Sequence, residues 1–380
     1  MKIVYIYDNI ARFGGVERIL TDKMNYLAKN TNHSIYLITG SQGLHSYSYA
    51  LSTKVKHIDI NVPFHKQYQY KCIKRVWCKL ELFKSFKVKL QKEIDNIHPD
   101  IIISTTCYQP IAVCSLNTKA KILIESHCSK EHTGKNNGIY RPFIFEIINR
   151  FLMTYKYFII QRKSDVVIAL THNDALEWNS AKKTIIIPNI ITKISSKTSS
   201  CTEKRVISVG RLTHQKGFDR LIKAWKIVST KYPEWELHIY GEGTKDELIR
   251  QIHKTSLENK ITIHNPTFTI YNKMQESSIY ALSSRYEGFG LVLIEAMTNG
   301  LPCVSFDCPY GPSDIINDGE DGFLVPNGDI QAMADKICYL IENEEARKEM
   351  GRKAHHSAMR YAPENIMPMW EKLFNEIVKS

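Results

Sequence analysis

The sequence predicts an α/β protein built as two Rossmann-like, doubly wound domains, each a parallel sheet covered by helices on both faces. Three observations predict it. Short apolar runs recur along the whole chain, separated by stretches with helical periodicity. That alternation is interrupted by a Ser/Thr-rich stretch at 191–204 and then starts again. The chain has 380 residues, too many for one typical domain and enough for two. The expected division is a first domain over 1–190, a linker over 191–204, a second domain over 205–362 and a terminal helix over 363–380.

Taken in order, Lys2 to Tyr7 is an apolar run and reads as the first strand. Val16 to Asn30 reads as a helix. Ser34 to Thr39, Val55 to Ile60, Ile101 to Thr105, Lys121 to Glu125, Val166 to Leu170 and Ile185 to Ile187 read as further strands. In the second half, Val206 to Val209, Leu237 to Tyr240, Ile261 to Ile263, Ile279 to Leu282 and Cys303 to Phe306 are expected strands. Gly217 to Lys231, Lys245 to Lys254, Leu291 to Asn299 and Ile330 to Asn343 are expected helices. Pro363 to Lys379 places Ile366, Met369, Trp370, Leu373, Phe374 and Ile377 at helical spacing. Two open α/β domains joined this way face a cleft, and ligands favour such clefts and the carboxyl ends of parallel strands.

Composition narrows the partners. The formal net charge of +12 calls for an anionic one. There is no RNP motif, Cys/His finger or heptad basic region, so nucleic acid is not expected. The nine cysteines form no CxxC pair, which fits reduced, cytosolic thiols and no zinc site. No secretory leader is expected from the opening Met-Lys-Ile-Val-Tyr-Ile-Tyr-Asp. No membrane-spanning run is expected either, because Phe143 to Ile160 is broken by Glu146, Arg150 and Lys156. That stretch reads as a membrane-contacting helix or as a core helix. Phe64 to Glu93 interleaves lysines with Tyr68, Tyr70, Trp77, Phe83 and Phe86. It suits an anionic lipid surface, and equally a solvated helix with one face on the core.

Four motifs carry candidate chemistry. Ser284 to Met297 runs from turn residues through Gly288-Phe289-Gly290 into an apolar helix beginning at Leu291. Glycines there allow close approach of a ligand, and free helix amides favour an anion. Glu295 falls inside the apolar run and needs hydrogen-bond donors, which ligand hydroxyls would supply. Val209-Gly210-Arg211-Leu212-Thr213-His214-Gln215-Lys216-Gly217 places Arg211 and Lys216 in a loop entering a helix. Phe13-Gly14-Gly15-Val16-Glu17 opens the first helix and is not GxGxxG, so a nicotinamide cofactor is not expected. Glu125-Ser126-His127 ends a strand, and a histidine there can bond a hydroxyl.

Glu287-x7-Glu295 with the intervening Gly-Phe-Gly, preceded by Gly-Arg-Leu and Lys-Gly, resembles the signature of retaining glycosyltransferases of family four. The other motifs occur in that family's order. The resemblance implies the GT-B fold and transfer of a hexose or N-acetylhexosamine from a UDP-sugar. It implies that Arg211, Lys216 and the amides near Leu291 neutralise the departing diphosphate. Glu287 and His127 would position the sugar, Glu295 the ribose, and Gly14 and Gly15 would lie against the diphosphate and acceptor. The segment 264–268 would read the base through backbone groups. The implied acceptor is a polyprenyl-diphosphate-linked saccharide or a surface polysaccharide, at the inner face of a bacterial membrane. No metal and no cofactor is implied, the nucleotide sugar being a substrate. The terminal helix would cross back to the first domain. Two other readings stay open at this point: a nucleotide-sugar epimerase of the same fold, and a non-catalytic nucleotide-binding membrane scaffold.

Overall fold

Parallel pairing accounts for both sheets. The computed structural model describes residues 1–127 and 143–379. Its strands are β1 (Lys2–Tyr7), β2 (Ser34–Thr39), β3 (Lys56–Asp59), β4 (Ile101–Thr105), β5 (Lys121–Glu125), β6 (Val166–Ala169), β7 (Thr184–Ile186), β8 (Arg205–Val209), β9 (Glu236–Tyr240), β10 (Ile261–His264), β11 (Ile279–Leu282), β12 (Cys303–Asp307) and β13 (Gly322–Pro326). Seven form one sheet in the order β3-β2-β1-β4-β5-β6-β7, and six form another in the order β10-β9-β8-β11-β12-β13. Every strand pair is parallel. Strands buried on both faces become nearly continuous apolar runs, as Ile101 to Ile103 and Ile122 to Ile124 are here.

The helices are α1 (Gly15–Asn30), α2 (Cys72–Ile97), α3 (Pro110–Val113), α4 (Phe143–Lys163), α5 (His172–Glu177), α6 (Phe218–Lys231), α7 (Asp246–Lys254), α8 (Ile270–Gln275), α9 (Leu291–Thr298), α10 (Pro312–Ile315), α11 (Ile330–Glu342), α12 (Glu344–Ala358) and α13 (Pro363–Lys379). The chain divides into two compact units. Among the described residues, one holds 1–127, 143–190 and 363–379; the other holds 191–362. Helix α13 thus belongs to the first unit, where Trp370, Leu373 and Phe374 are buried and Glu371 Oε2 lies 3.1 Å from His33 Nε2.

Some local expectations change. Residues 191–204 pack on the second unit: the Ser199 amide donates to Asn299 O at 2.7 Å, and Cys201 O accepts from Arg347 Nε at 2.8 Å. Their serines and threonines supply hydrogen bonds to a folded surface, which composition cannot distinguish from a solvated tether. The acidic turn Asp318–Gly322 is in part buried. Asp321 is buried, its carboxylate accepting from the Asn317 amide (2.8 Å) and Asn317 Nδ2 (2.7 Å), and the turn feeds β13. Helix α12 was not expected, because its surface is polar; its buried Arg347 caps the carbonyls of Leu340 and Ile341 at the end of α11.

The 64–93 segment splits. Phe64–Gln69 is a short 3-10 turn, followed by α2. The second half of α2 buries Phe86, Leu90 and Ile94 on the first unit's core, whereas Ile73, Val76, Trp77 and Leu80 are exposed. Helix α4 likewise leaves Ile147, Ile148, Phe151, Leu152, Tyr155 and Phe158 exposed, so this part is not a core helix. Among the described residues, no helix is long and apolar enough to cross a membrane.

Candidate functional site

In the second unit the loop after β8 and the loop after β11 meet. Gly217 makes this possible: its φ is +65°, and a Cβ there would stand 2.1 Å from Ser283 O. The Arg285 amide donates to Gln215 O at 2.7 Å, and Gln215 Nε2 donates to Tyr286 O at 3.0 Å. The Arg285 guanidinium grips Asp219 of α6 with two bonds of 2.8 and 2.7 Å and adds a third, of 2.7 Å, to His214 O. Burial alone would raise the Asp219 carboxyl, but the Arg285 fork outweighs it and holds the group below the usual range.

This clasp brings Lys216 and Glu287 together. Lys216 Nζ donates to Glu287 Oε1 at 2.7 Å, and Ser284 Oγ donates to the same oxygen at 2.5 Å. The Lys216 stem lies against Gly210, where a Cβ would come within 3.2 Å of it. The Glu287 amide donates to Pro309 O at 3.1 Å, which fixes the start of the glycine loop. Gly290 has φ +96° and precedes α9 with no side-chain cap, so no capping side chain covers the helix's first amides. Gly290 is required by its backbone angle rather than by crowding, since a Cβ there would meet only ordinary contacts at 3.5 Å. Phe289 and Gly290 are buried, whereas Gly288 and Leu291 are half-buried.

Two expected members stand apart from this pair. Arg211 is exposed and its side chain makes no hydrogen bond or ion pair among the described residues. Glu295 sits one turn into α9 and is half-buried, with the Tyr271 hydroxyl 3.5 Å from its Oε1. It is less buried than its place inside an apolar run suggests. On β10, the His264 ring stacks on Tyr240 with centroids 4.3 Å apart and on His238 at 5.0 Å.

The first unit holds Gly14, Gly15 and His127. Gly14 precedes α1, and Glu17 fills its surroundings so closely that a Cβ at Gly14 would lie 2.1 Å from the Glu17 carboxylate. His127 follows β5 and is buried; its Nε2 lies 2.9 Å from Glu125 Oε2. The same oxygen accepts a bond from Lys23 of α1. Burial works against both charges, pulling Lys23 below the ordinary lysine range. At Glu125 the Lys23 ammonium and the His127 bond overcome it, and the carboxyl is held at about 2. Two donors on one oxygen favour the ionised form, and we take the pair as ionised.

Lys23 and Arg285 were missed by sequence reasoning. Lys23 had a signal: it lies at helical spacing among Ile19, Leu20, Met24 and Leu27, a cation on an apolar face. Arg285 had none, because its partner Asp219 is distant in sequence.

Known proteins resemble this chain in sequence and in fold. The family model described as glycosyl transferases group 1 matches residues 190–357. An uncharacterized glycosyltransferase of Haemophilus influenzae is 27% identical over 381 residues, covering 97% of this chain and 99% of its own. The amylovoran biosynthesis glycosyltransferase AmsD of Erwinia amylovora is 28% identical over 391 residues, covering 98% and 99%. Among solved structures, TarM of S. aureus, crystallised with fondaparinux, alpha-GlcNAc-glycerol and UDP, superposes with a TM-score of 0.77. It shares 18% identity, covering 99% of this chain and 100% of that one, which establishes the likeness of fold. The fold is the GT-B arrangement of two parallel sheets, and the chain is similar over nearly its whole length to proteins named as glycosyltransferases. Residues 190–357 are the part that resembles group 1 glycosyl transferases, and AmsD, one of the full-length matches, is named for amylovoran biosynthesis.

Proposed function

We propose that the protein moves a hexose or N-acetylhexosamine from a UDP-sugar to a lipid-linked saccharide or surface polysaccharide, retaining anomeric configuration and using no metal. The observation that carries this reading is the Lys216–Glu287 pair at 2.7 Å beside a glycine loop that opens an uncapped α9. UDP in the TarM crystal and the biosynthetic name of AmsD support the donor and acceptor classes. Lys216 has three N–H donors and gives one to Glu287, so two remain for a diphosphate. Fixed cations and helix amides aimed at a developing dianion lower the barrier without reorganising. Arg211, long and uncommitted, adds the second cation. Glu287 Oε2 and His127 hold sugar hydroxyls, and Glu295 takes the ribose. A leaving phosphate oxygen accepts the acceptor's proton on the face from which the acceptor attacks.

The test is transfer from a panel of nucleotide sugars to lipid-linked acceptors, read by mass spectrometry, with the anomeric outcome read by NMR. Arg211→Ala is expected to cost about 2–4 kcal/mol of transition-state stabilisation. An unchanged rate at saturating donor removes Arg211 from the reaction. Donor binding without transfer to any acceptor would favour a scaffold instead.

The exposed apolar residues on α2 and α4, set among Lys74, Arg75, Lys79, Arg150 and Lys156, suit peripheral attachment to an anionic inner membrane surface. Flotation with anionic vesicles is expected to decline as salt rises. Absence of binding at low salt discards this attachment.

A further inference from the structure

Lys23 is among the most buried side chains of the molecule, and the donor-side chemistry does not use it. Among the described residues its ammonium faces Glu125, Trp370 and Tyr5. It donates to Glu125 Oε2, lies 4.3 Å from the centroid of the Trp370 ring, and lies 5.9 Å from that of Tyr5. Glu125 Oε2 is shared with His127 Nε2, while Glu125 Oε1 is buried without any hydrogen-bond donor among the described residues. A methionine at 23 and an apolar residue at 125 would fill this space at no cost in desolvation. A buried ion pair is a poor way to stabilise a core, but it holds a carboxylate in one place.

We propose that Lys23 is a positioning residue for His127, acting through Glu125 and held in place by Trp370 of α13. The inference rests on the reading of His127 as a group that touches the sugar or acceptor. Its logic is one of proton placement. Lys23 keeps Glu125 ionised, so the carboxylate can only accept. His127 Nε2 must then carry a proton, and Nδ1 presents its lone pair to a hydroxyl. Without the ammonium, Glu125 becomes a lone buried anion and is relieved by gaining a proton or by drawing one onto the imidazole. A proton on Oε2, the oxygen facing the ring, or one drawn onto the imidazole leaves His127 Nδ1 protonated and turns it from acceptor to donor. Trp370 makes the terminal helix part of this arrangement: its ring faces the ammonium where water would otherwise solvate it.

The experiment is long-range ¹H–¹⁵N correlation of the histidine rings in the full chain at neutral pH, with the His127 signals assigned by their absence in His127→Gln. The wild type is expected to show a protonated Nε2 and a bare Nδ1. Lys23→Met is expected to protonate Nδ1, and Lys23→Arg to restore the wild-type pattern. A folded Lys23→Met with unchanged His127 signals overturns the proposal. If Lys23→Met does not fold, the wild type decides: a bare Nε2 there overturns the proposal, and a bare Nδ1 retained in Lys23→Arg supports it. Transfer kinetics separate the two layers. Inverted ring signals with wild-type turnover leave the positioning intact and refute the role of His127 in transfer. Inverted signals with kcat lowered at unchanged donor KM support both.

Discussion

Each unit carries a lysine–glutamate pair beside the carboxyl ends of its strands, and the pairs differ in how much water reaches them. The side chains of Lys23 and Glu125 are 2% and 0% exposed; those of Lys216 and Glu287 are 14% and 6% exposed. The buried pair is shut off from solvent, so removing one member strands the other. The half-open pair keeps donors and an acceptor that a ligand can reach. Burial therefore separates a device that fixes a neighbour from one that can exchange partners.

The sharpest way to break this comparison is Glu125→Ala. It leaves an ammonium in the core, and breaking a buried pair from one side costs about 3–5 kcal/mol. Urea unfolding of the wild type and variant measures it; a loss below about 1 kcal/mol would mean the buried pair behaves like an exposed one. Lys216→Met is the counterpart. Its expected effect is on turnover, about 10²–10³-fold, or roughly 3–4 kcal/mol in the barrier, by analogy with loss of one charge-stabilising donor. Its melting temperature should stay close to wild type, because Ser284 still satisfies Glu287 and water can reach the rest. A large fall in melting temperature with unchanged turnover would reverse the roles assigned to the two pairs.

A third carboxylate sharpens the contrast because it is paired with no cation among the described residues. Asp174 is buried and accepts from Ser126 Oγ at 3.0 Å and Trp178 Nε1 at 3.1 Å. Burial raises its carboxyl to about 6 despite those bonds. Folded-state titration above the unfolded value means that its contribution to stability is complete below about pH 4 and is lost as pH rises through about 6. The displacement is roughly 2 pH units at about 1.4 kcal/mol each, so about 3 kcal/mol. Glu125, held at about 2, has the opposite sign: its contribution is present above about pH 4.5 and disappears as pH falls toward 2. Asp174→Asn should thus gain stability relative to wild type as pH rises from 4 to 7. Thermal melts across that range check it, and parallel curves would mean that the Asp174 carboxyl titrates normally.

Legibility in the sequence followed locality. Strands β1, β2, β4 and β5 could be read residue for residue, because a strand buried on both faces is a continuous apolar run. The strand β13 was not, since it follows an acidic turn and its register is set by β12 rather than by its own pattern. The glycine loop and Lys216 were visible as motifs, and the structure places Lys216 against Glu287. What could not be read was pairing at a distance. Lys23 meets Glu125 across 102 residues, and Arg285 meets Asp219 across 66. Such contacts depend on which strands become neighbours, a property of the whole sheet order rather than of any window.

The smallest expected effect tests the clasp that makes the half-open pair possible. Arg285 and Asp219 are partly exposed, so their ion pair is screened and should contribute little to global stability. Arg285→Lys keeps the charge but loses the planar fork that spans both Asp219 oxygens and His214 O. The expected loss of stability is about 1 kcal/mol or less. Its functional consequence should be larger than its stability cost, because the backbone of residue 285 ties the Glu287 loop to Gln215 and sets where Glu287 meets Lys216. Donor affinity by calorimetry, measured beside the melting temperature, distinguishes the two. Weaker donor binding at near-constant stability identifies the clasp as the element that shapes the second unit's pair. Wild-type affinity would show that the loop holds its geometry through backbone hydrogen bonds alone.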